Sequence, residues 1–477
     1  MLKQHYIILS GILALVLFIY GCSSIDTEKV ENSTVQPAPV LPPLERVIPD
    51  DPYLFLPLEH TVFQLIFTKE VDPVFLEKAV SFEPELNFKV QGSKHNPREI
   101  YLEPQKKLQP DTIYTLEING IQNQSIGKAE TLKFSYHTEF EGDKEIINPQ
   151  WSHDGQEIVY LVRPKESDTA ELWKMSLKNG DKTLLATGLG WPGRASWAPD
   201  DRSILYAKII PKSDKLSLPE IRIVDREGKE EKVVVSAADL ERIAGVGPFN
   251  ASAWWSPDGK RIAIQLDLGG VDAHSDNIRS LAVANNDGKG LHPVDGQIFV
   301  GWQDNSNLLV LKTHQNYNHS HAYRYDLFQV KEDGKEPGKL LLGKGQIPNF
   351  DRSNQSPDLN SIVVGQWKSL NAVRSFKREG TGILLYDLSK NSLTSMESTA
   401  GYQKHPAFSP DGKSIVFTSN KTGNWDLYLW KKDKTKQFTT DLAHEIYPTW
   451  SPKGDKLALV SRSNNTEEIK IKEIDRN

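Results

Sequence analysis

From about residue 60 onward, apolar and polar residues alternate in short runs. Val62-Phe63-Gln64-Leu65-Ile66-Phe67, Glu99-Ile100-Tyr101-Leu102-Glu103, Ile113-Tyr114-Thr115-Leu116-Glu117-Ile118 and Lys133-Phe134-Ser135-Tyr136-His137-Thr138 each put one face toward a core. Turn residues separate these runs, and long stretches with a 3.6-residue apolar period are nearly absent. An all-β chain is predicted. The beginning breaks the pattern. After Lys3, the segment from Tyr6 to Tyr20 is uncharged and mostly apolar. Its roughly 15 residues suit a signal-peptide core, where a membrane-spanning helix needs about 20. Residues 23–49 are polar and carry Pro37, Pro39, Pro42, Pro43 and Pro49, which predicts an extended, solvated tether.

Between the tether and the second half, residues 50–140 hold short strands in the number a β-sandwich needs. Leu108-Gln109-Pro110-Asp111-Thr112-Ile113-Tyr114 resembles the tyrosine corner of immunoglobulin-like sandwiches. With Phe67-Thr68-Lys69-Glu70-Val71-Asp72-Pro73 upstream, the segment resembles a bacterial Ig-like domain. The resemblance implies a spacer or adhesive module. Likewise Ile19-Tyr20-Gly21-Cys22 resembles a bacterial lipobox, although Tyr20 is larger than usual for its place. That implies cleavage before Cys22 and acylation of its thiol. Cys22 is also the single cysteine, so no disulfide forms within the chain.

The second half is a repeat. An aromatic residue, Ser-Pro-Asp-Gly and an aliphatic run recur. The best copy is Trp255-Ser256-Pro257-Asp258-Gly259-Lys260 before Ile262-Ala263-Ile264. The serine positions are Ser152, Ala198, Ser256, Gln303, Ser356, Ser409 and Ser451, at intervals of 42 to 58 residues. A four-stranded propeller blade takes about 40 to 50. Pro, Asp and Gly preset a tight turn between the two inner strands of each blade. The phrase is similar to the repeat of TolB-like propellers and of propellers fused to prolyl oligopeptidases. It implies a TolB-like β-propeller over 141–477; the seven copies of the phrase point to seven blades, with six or eight as alternatives. The last copy supplies only three strands. Its fourth is expected from near Glu145 to Ile147, closing the ring by strand exchange. The expected organisation is thus a signal peptide (1–21), a tether (22–49), an Ig-like sandwich (50–140) and the propeller (141–477).

Composition adds limits. The net charge of -6 and the lack of a basic block argue against nucleic acid. No G-x-S-x-G nucleophile elbow is present. His444-Glu445-Ile446-Tyr447-Pro448 has proline where a zincin helix needs its second histidine. His314, His319 and His321 lie close enough in sequence to share a metal, but they read first as a polar surface loop. No catalytic residue, metal or cofactor is expected. The leading expectation is a non-catalytic scaffold that binds a protein or peptide in the cell envelope. It would be anchored to the bilayer through acylated Cys22, with a Gram-positive location favoured. A glycan-binding or metal-dependent glycan-cleaving propeller is the alternative. Blade loops are longest at 208–219, 237–250, 268–277, 313–322 and 367–382. Binding is expected on that face, through Tyr317, His319, His321, Trp367, Arg374, Phe376, Trp425 and Tyr447.

Overall fold

The computed structural model describes residues 40–49, 56–123, 127–138, 141–213, 216–268, 279–314, 324–348, 350–366, 382–396, 403–422, 424–463 and 466–474. They form an all-β protein with two short helices, Pro73–Ala79 and Ala237–Ala244.

The N-terminal domain stacks two antiparallel sheets. One has the order Leu44–Ile48, Phe63–Phe67, Glu99–Pro104, Phe88–Gly92. The other has the order Val80–Glu83, Ile113–Gln122, Ala129–His137. Alternation sends Phe63, Leu65, Phe67, Leu102 and Leu116 into one shared core, all fully buried. The first of these strands lies inside the stretch read as tether. Leu41, Leu44 and Val47 are buried there, and Leu44 pairs with Phe67. The prolines around them hid this alternation. Asp72 caps the helix Pro73–Ala79 by accepting a hydrogen bond from Val74 N. The corner motif works as its residues suggest. Tyr114 Oη accepts from Gln109 N at 3.1 Å, and Thr138 Oγ1 donates to Gln109 O at 2.6 Å.

The repeats form a propeller of small antiparallel sheets. Strands of the first repeat (Lys144–Trp151 to Lys182–Leu189) and the second (Ala195–Trp197 to Glu231–Val235) share one sheet, joined through the pair Leu189↔Lys208. Four four-stranded sheets follow, from Asn250 to Gln437, and then a three-stranded sheet, His444–Trp450, Lys456–Ser463 and Thr466–Glu473. In the turns the serine is buried and does two things. Ser256 Oγ donates to Asp258 at 2.7 Å and accepts from Arg261 N at 3.0 Å. Ser152, Ser356 and Ser409 repeat both bonds. Gly155, Gly259, Gly412 and Gly454 take the left-handed conformation that closes the turn, and Asp201 and Leu359 stand there in two other copies. These turns also stack on one another, with Gly454 facing Pro410 of the preceding turn.

Ring closure differs from the expectation. Lys144–Trp151 pairs with Glu157–Pro164 as the inner strand of the first repeat, so it is not the fourth strand of the last sheet. First and last repeats instead meet by packing. Gly155 faces Pro452, and Trp151 Nε1 donates to Thr449 O. Ile146 N donates to Glu467 Oε2, which belongs to an almost fully buried pair with Arg462. A buried ion pair with a backbone donor holds the seam without sharing a strand. One expected loop is also a strand pair: Ser203–Ser213 and Leu216–Asp225 form a hairpin through 208–219. In another, Ser236 and Gly245 cap the helix Ala237–Ala244.

Candidate functional site in the propeller channel

Six of the eight expected contact residues, Tyr317, His319, His321, Trp367, Arg374 and Phe376, lie outside the described residues, as does Cys22. The other two are described. Trp425 is only 4% exposed, so it is not displayed on an open loop. Tyr447 is half-buried, with its ring 4.1 Å from that of His405. His314 Nδ1 is 2.8 Å from Asp326.

Trp425 belongs to a polar junction between the two domains. The left-handed backbone of Asp111, in the tyrosine corner, places its carboxylate between two histidines. Asp111 Oδ1 is 3.0 Å from His137 Nε2 and 2.8 Å from His444 Nε2. These three residues are grouped tightly enough to consider a metal. The hydrogen-bond directions decide against it. His137 Nδ1 accepts from Trp425 Nε1, and His444 Nδ1 accepts from Trp425 N, both at 3.1 Å. A neutral imidazole whose Nδ1 accepts carries its proton on Nε2. Both Nε2–H groups then donate to Asp111, and neither nitrogen has a lone pair for a metal. Burial lowers the pKa of His137 to about 4, against the opposing pull of Asp111, which keeps the ring neutral. Burial alone would raise Asp111, but the hydrogen bonds from His137 and His444 outweigh it and hold the carboxyl below its ordinary value. Lys404 Nζ lies 4.8 Å from the Trp425 ring centre. The junction docks the N-terminal domain on the long-loop face.

The other concentration of chemistry is a cavity of about 720 Å³ in the propeller channel. His153, Pro199, Pro257 and Pro357 line it, so it opens among the short turns, the face opposite the long loops. One wall is aromatic. Trp254 and Phe299 have ring centres 4.6 Å apart, and the Arg194 guanidinium lies 5.5 Å from the Trp254 ring centre. Gln265 and Gln355 add amides. Gln355 fits against Gly301, where a β-carbon would come within 2.3 Å of its Oε1. At the mouth, Asp201 accepts from the backbone N–H groups of His153 and Asp154, and its Oδ1 is 2.7 Å from His153 Nδ1. Asp201 therefore orients the ring and leaves Nε2 as its acceptor. The phrase at Trp197-Ala198-Pro199-Asp200-Asp201 hinted at this, because aspartate replaces the turn glycine.

No family model matches the chain. A curated relative, an uncharacterized peptidase of Bacillus subtilis named YuxL, is 23% identical over 153 residues, 28% of this chain. The chain spans only 23% of that relative's length. Among solved structures, oligogalacturonate lyase from Vibrio parahaemolyticus is 12% identical, with TM-score 0.51, covering 82% of this chain and 97% of that one. The acylaminoacyl peptidase of Pyrococcus horikoshii is 13% identical, with TM-score 0.50, covering 69% and 51%. TolB from Acinetobacter baumannii is 16% identical, with TM-score 0.37, covering 71% and 62%. The chain is thus a β-propeller protein with TolB among its structural neighbours. The expectation of a non-catalytic scaffold that is not an enzyme is corrected here. The neighbours at TM-scores of 0.50 and 0.51 are a peptidase and a lyase, and the curated relative is a peptidase. That expectation rested on the missing nucleophile elbow and the broken zincin pattern, and two absent motifs carry no information about other chemistry inside the channel.

Proposed function

We propose that this protein is a propeller enzyme that takes a short acidic saccharide into its channel. The observation that carries the reading is the wall of Trp254 and Phe299 with the Arg194 guanidinium beside it. Aromatic faces stack on sugar rings, and arginine pairs with a carboxylate. The lyase neighbour, matched over 97% of its length, acts on oligogalacturonate, a saccharide of this class. Another oligogalacturonate lyase structure contains manganese. Among the described lining residues a metal lacks ligands, since His153 is the one imidazole and none is a carboxylate. The chemistry is therefore assigned to side chains. In a β-elimination the carbon beside the carboxylate loses a proton, and its electron pair forms a double bond to the next ring carbon. The glycosidic oxygen on that carbon leaves with the electrons of its C–O bond and takes a proton from water. His153, oriented by Asp201, takes that proton, and Arg194 holds the carboxylate.

Calorimetry with an oligogalacturonate trimer, alongside ultraviolet detection of an unsaturated product, tests this. Arg194→Met should weaken binding about tenfold to a hundredfold, as expected for a lost charged hydrogen bond. Trimer binding that ignores this change, or no binding, would overturn the reading. A second reading, peptide cleavage, is favoured by the similarity to the Bacillus peptidase. A panel of short peptides with a hydrolysis readout separates the two.

The setting is part of the proposal. The enzyme is held outside a cell membrane, with a Gram-positive cell favoured, by acylated Cys22 and a tether. Its N-terminal sandwich is Ig-like, and its propeller has seven blades. The lipobox residues, the bonded tyrosine corner and the seven phrases support these points. The mass of the mature N-terminus tests the anchor. An unmodified residue other than Cys22 at that end would sink it.

A further inference from the structure

The tryptophans of the repeat phrase form a belt around the channel. Trp151 Nε1 donates to Thr449 O at 3.1 Å, Trp197 Nε1 to Gln150 O at 3.4 Å, Trp255 Nε1 to Ser196 O at 3.3 Å and Trp450 Nε1 to Ala407 O at 3.1 Å. In every case the acceptor is the residue just before the aromatic position of the preceding repeat. Each indole thus ties its inner strand to the next one around the ring. By the same rule Trp302 would donate to the carbonyl of Trp254. It does not. Trp302 is 5% exposed and lines the cavity, and its Nε1 has no hydrogen-bond partner.

The fourth repeat departs from the others in its turn. Elsewhere the residue after the aromatic donates its N–H to a carbonyl five positions on, as Ser256 does to Arg261 and Ala198 to Ser203. In the fourth repeat Gln303 N donates to Asn307 O, four positions on. The turn is one residue shorter and, like the second repeat with Ala198, lacks the serine that locks the other five. A buried indole N–H with no acceptor costs about 1–3 kcal/mol. The site gains nothing from it within the described fold.

We propose that the Trp302 indole N–H is a ligand-reading donor, and that the ligand places an oxygen acceptor against it. This rests on the channel being the substrate site. Trp302 is a specificity-determining residue rather than a proton donor in the reaction, because indole N–H does not ionise in the working range of an enzyme. It selects ligands that carry a hydroxyl, carboxylate or carbonyl oxygen at that depth. Trp254 and Phe299 supply the stacking surface, and Arg194 supplies the charge.

The test uses the mature full-length chain and indole N–H resonances in nitrogen–proton NMR. The Trp302 signal is identified by its loss in Trp302→Phe. Two probes are added separately, an oligogalacturonate trimer and a trialanine peptide. Movement of the Trp302 signal with the trimer, and roughly tenfold weaker trimer binding by Trp302→Phe, is the expected result. Movement with trialanine alone keeps the donor and overturns the saccharide reading. If neither probe moves the signal, or the bound probe has equal affinity for Trp302→Phe, the donor proposal is wrong. Trp151→Phe serves as a control, since its indole is already bonded and its loss should leave probe affinity unchanged if the fold holds.

Discussion

The domain junction and the channel cavity contain similar materials and differ in how their hydrogen bonds close. At the junction, Asp111, His137, His444 and Trp425 form a set of ligand-type residues in which every ring nitrogen already has a partner of the right kind. In the channel, a buried indole donor has none. The first looks like a metal site by composition and is a latch by proton position. The second lacks a familiar ligand set and has the unmet donor. Saturation of hydrogen bonds separates the two better than residue type does.

The largest break in this comparison should come from Asp111→Ala. It leaves two buried imidazole N–H groups without their acceptor, each costing about 1–3 kcal/mol. Denaturant unfolding should show a loss of about 2–5 kcal/mol, with the N-terminal domain uncoupled from the propeller. A loss below about half a kcal/mol would mean the junction is not a latch.

Acid should act on the same place. The His137 ring has an ordinary pKa of 6.5, which burial brings to about 4 in the folded protein. The unfolded state binds the proton first, so stability is full above about pH 6.5 and falls as the pH drops toward 4. Asp111, held below its ordinary value, adds a loss in the same direction at lower pH. The histidine contributes about 3 kcal/mol across that window. Melting temperature against pH should fall more steeply for wild type than for a variant with a neutral residue at 137. Parallel curves would remove the histidine from the account.

The belt gives a finer comparison. Trp151→Phe and Trp302→Phe delete the same ring atoms from similarly buried sites. The first also loses a hydrogen bond that ties the seam, and the second removes an unmet donor. Without ligand, Trp151→Phe should therefore be the more destabilising by about 1–2 kcal/mol. Equal losses would show that the indole bonds carry no weight. The smallest effect is expected from Gly301→Ala. Its added carbon meets the flexible end of Gln355, which can swing aside, so stability should change by about 1 kcal/mol or less. Probe affinity should change more than stability, because Gln355 would move within the cavity.

How far the sequence reached depends on the range of the forces involved. The alternation and the recurring turn phrase were sufficient for the all-β class, the repeat and most inner strands, because period and turn chemistry are local. The tyrosine corner was also legible, with its donor five residues from its acceptor. Closure was not. An isolated strand near Glu145 fits two pairings equally, and the choice was made by packing against the last repeat and by Glu467, 321 positions away. The 208–219 hairpin was missed because Pro211 and Pro219 read as loop markers, although the strands continue through both.

The candidate sites divide in the same way. Sequence alone determined that aromatic residues recur at one register in six of the seven repeats, and that the fourth copy is irregular at Gln303-Asp304-Asn305. It also named Trp425 and Tyr447 from their loops, and His444 from a broken zincin pattern. Tertiary structure decided that Trp425 faces a histidine from another domain and that four belt indoles reach a neighbouring carbonyl while Trp302 does not. The reason is physical. A hydrogen-bonding residue type is inherited from the sequence, but whether its donor is met depends on which distant strand lies within about 3 Å of it, and only the closed ring sets that distance.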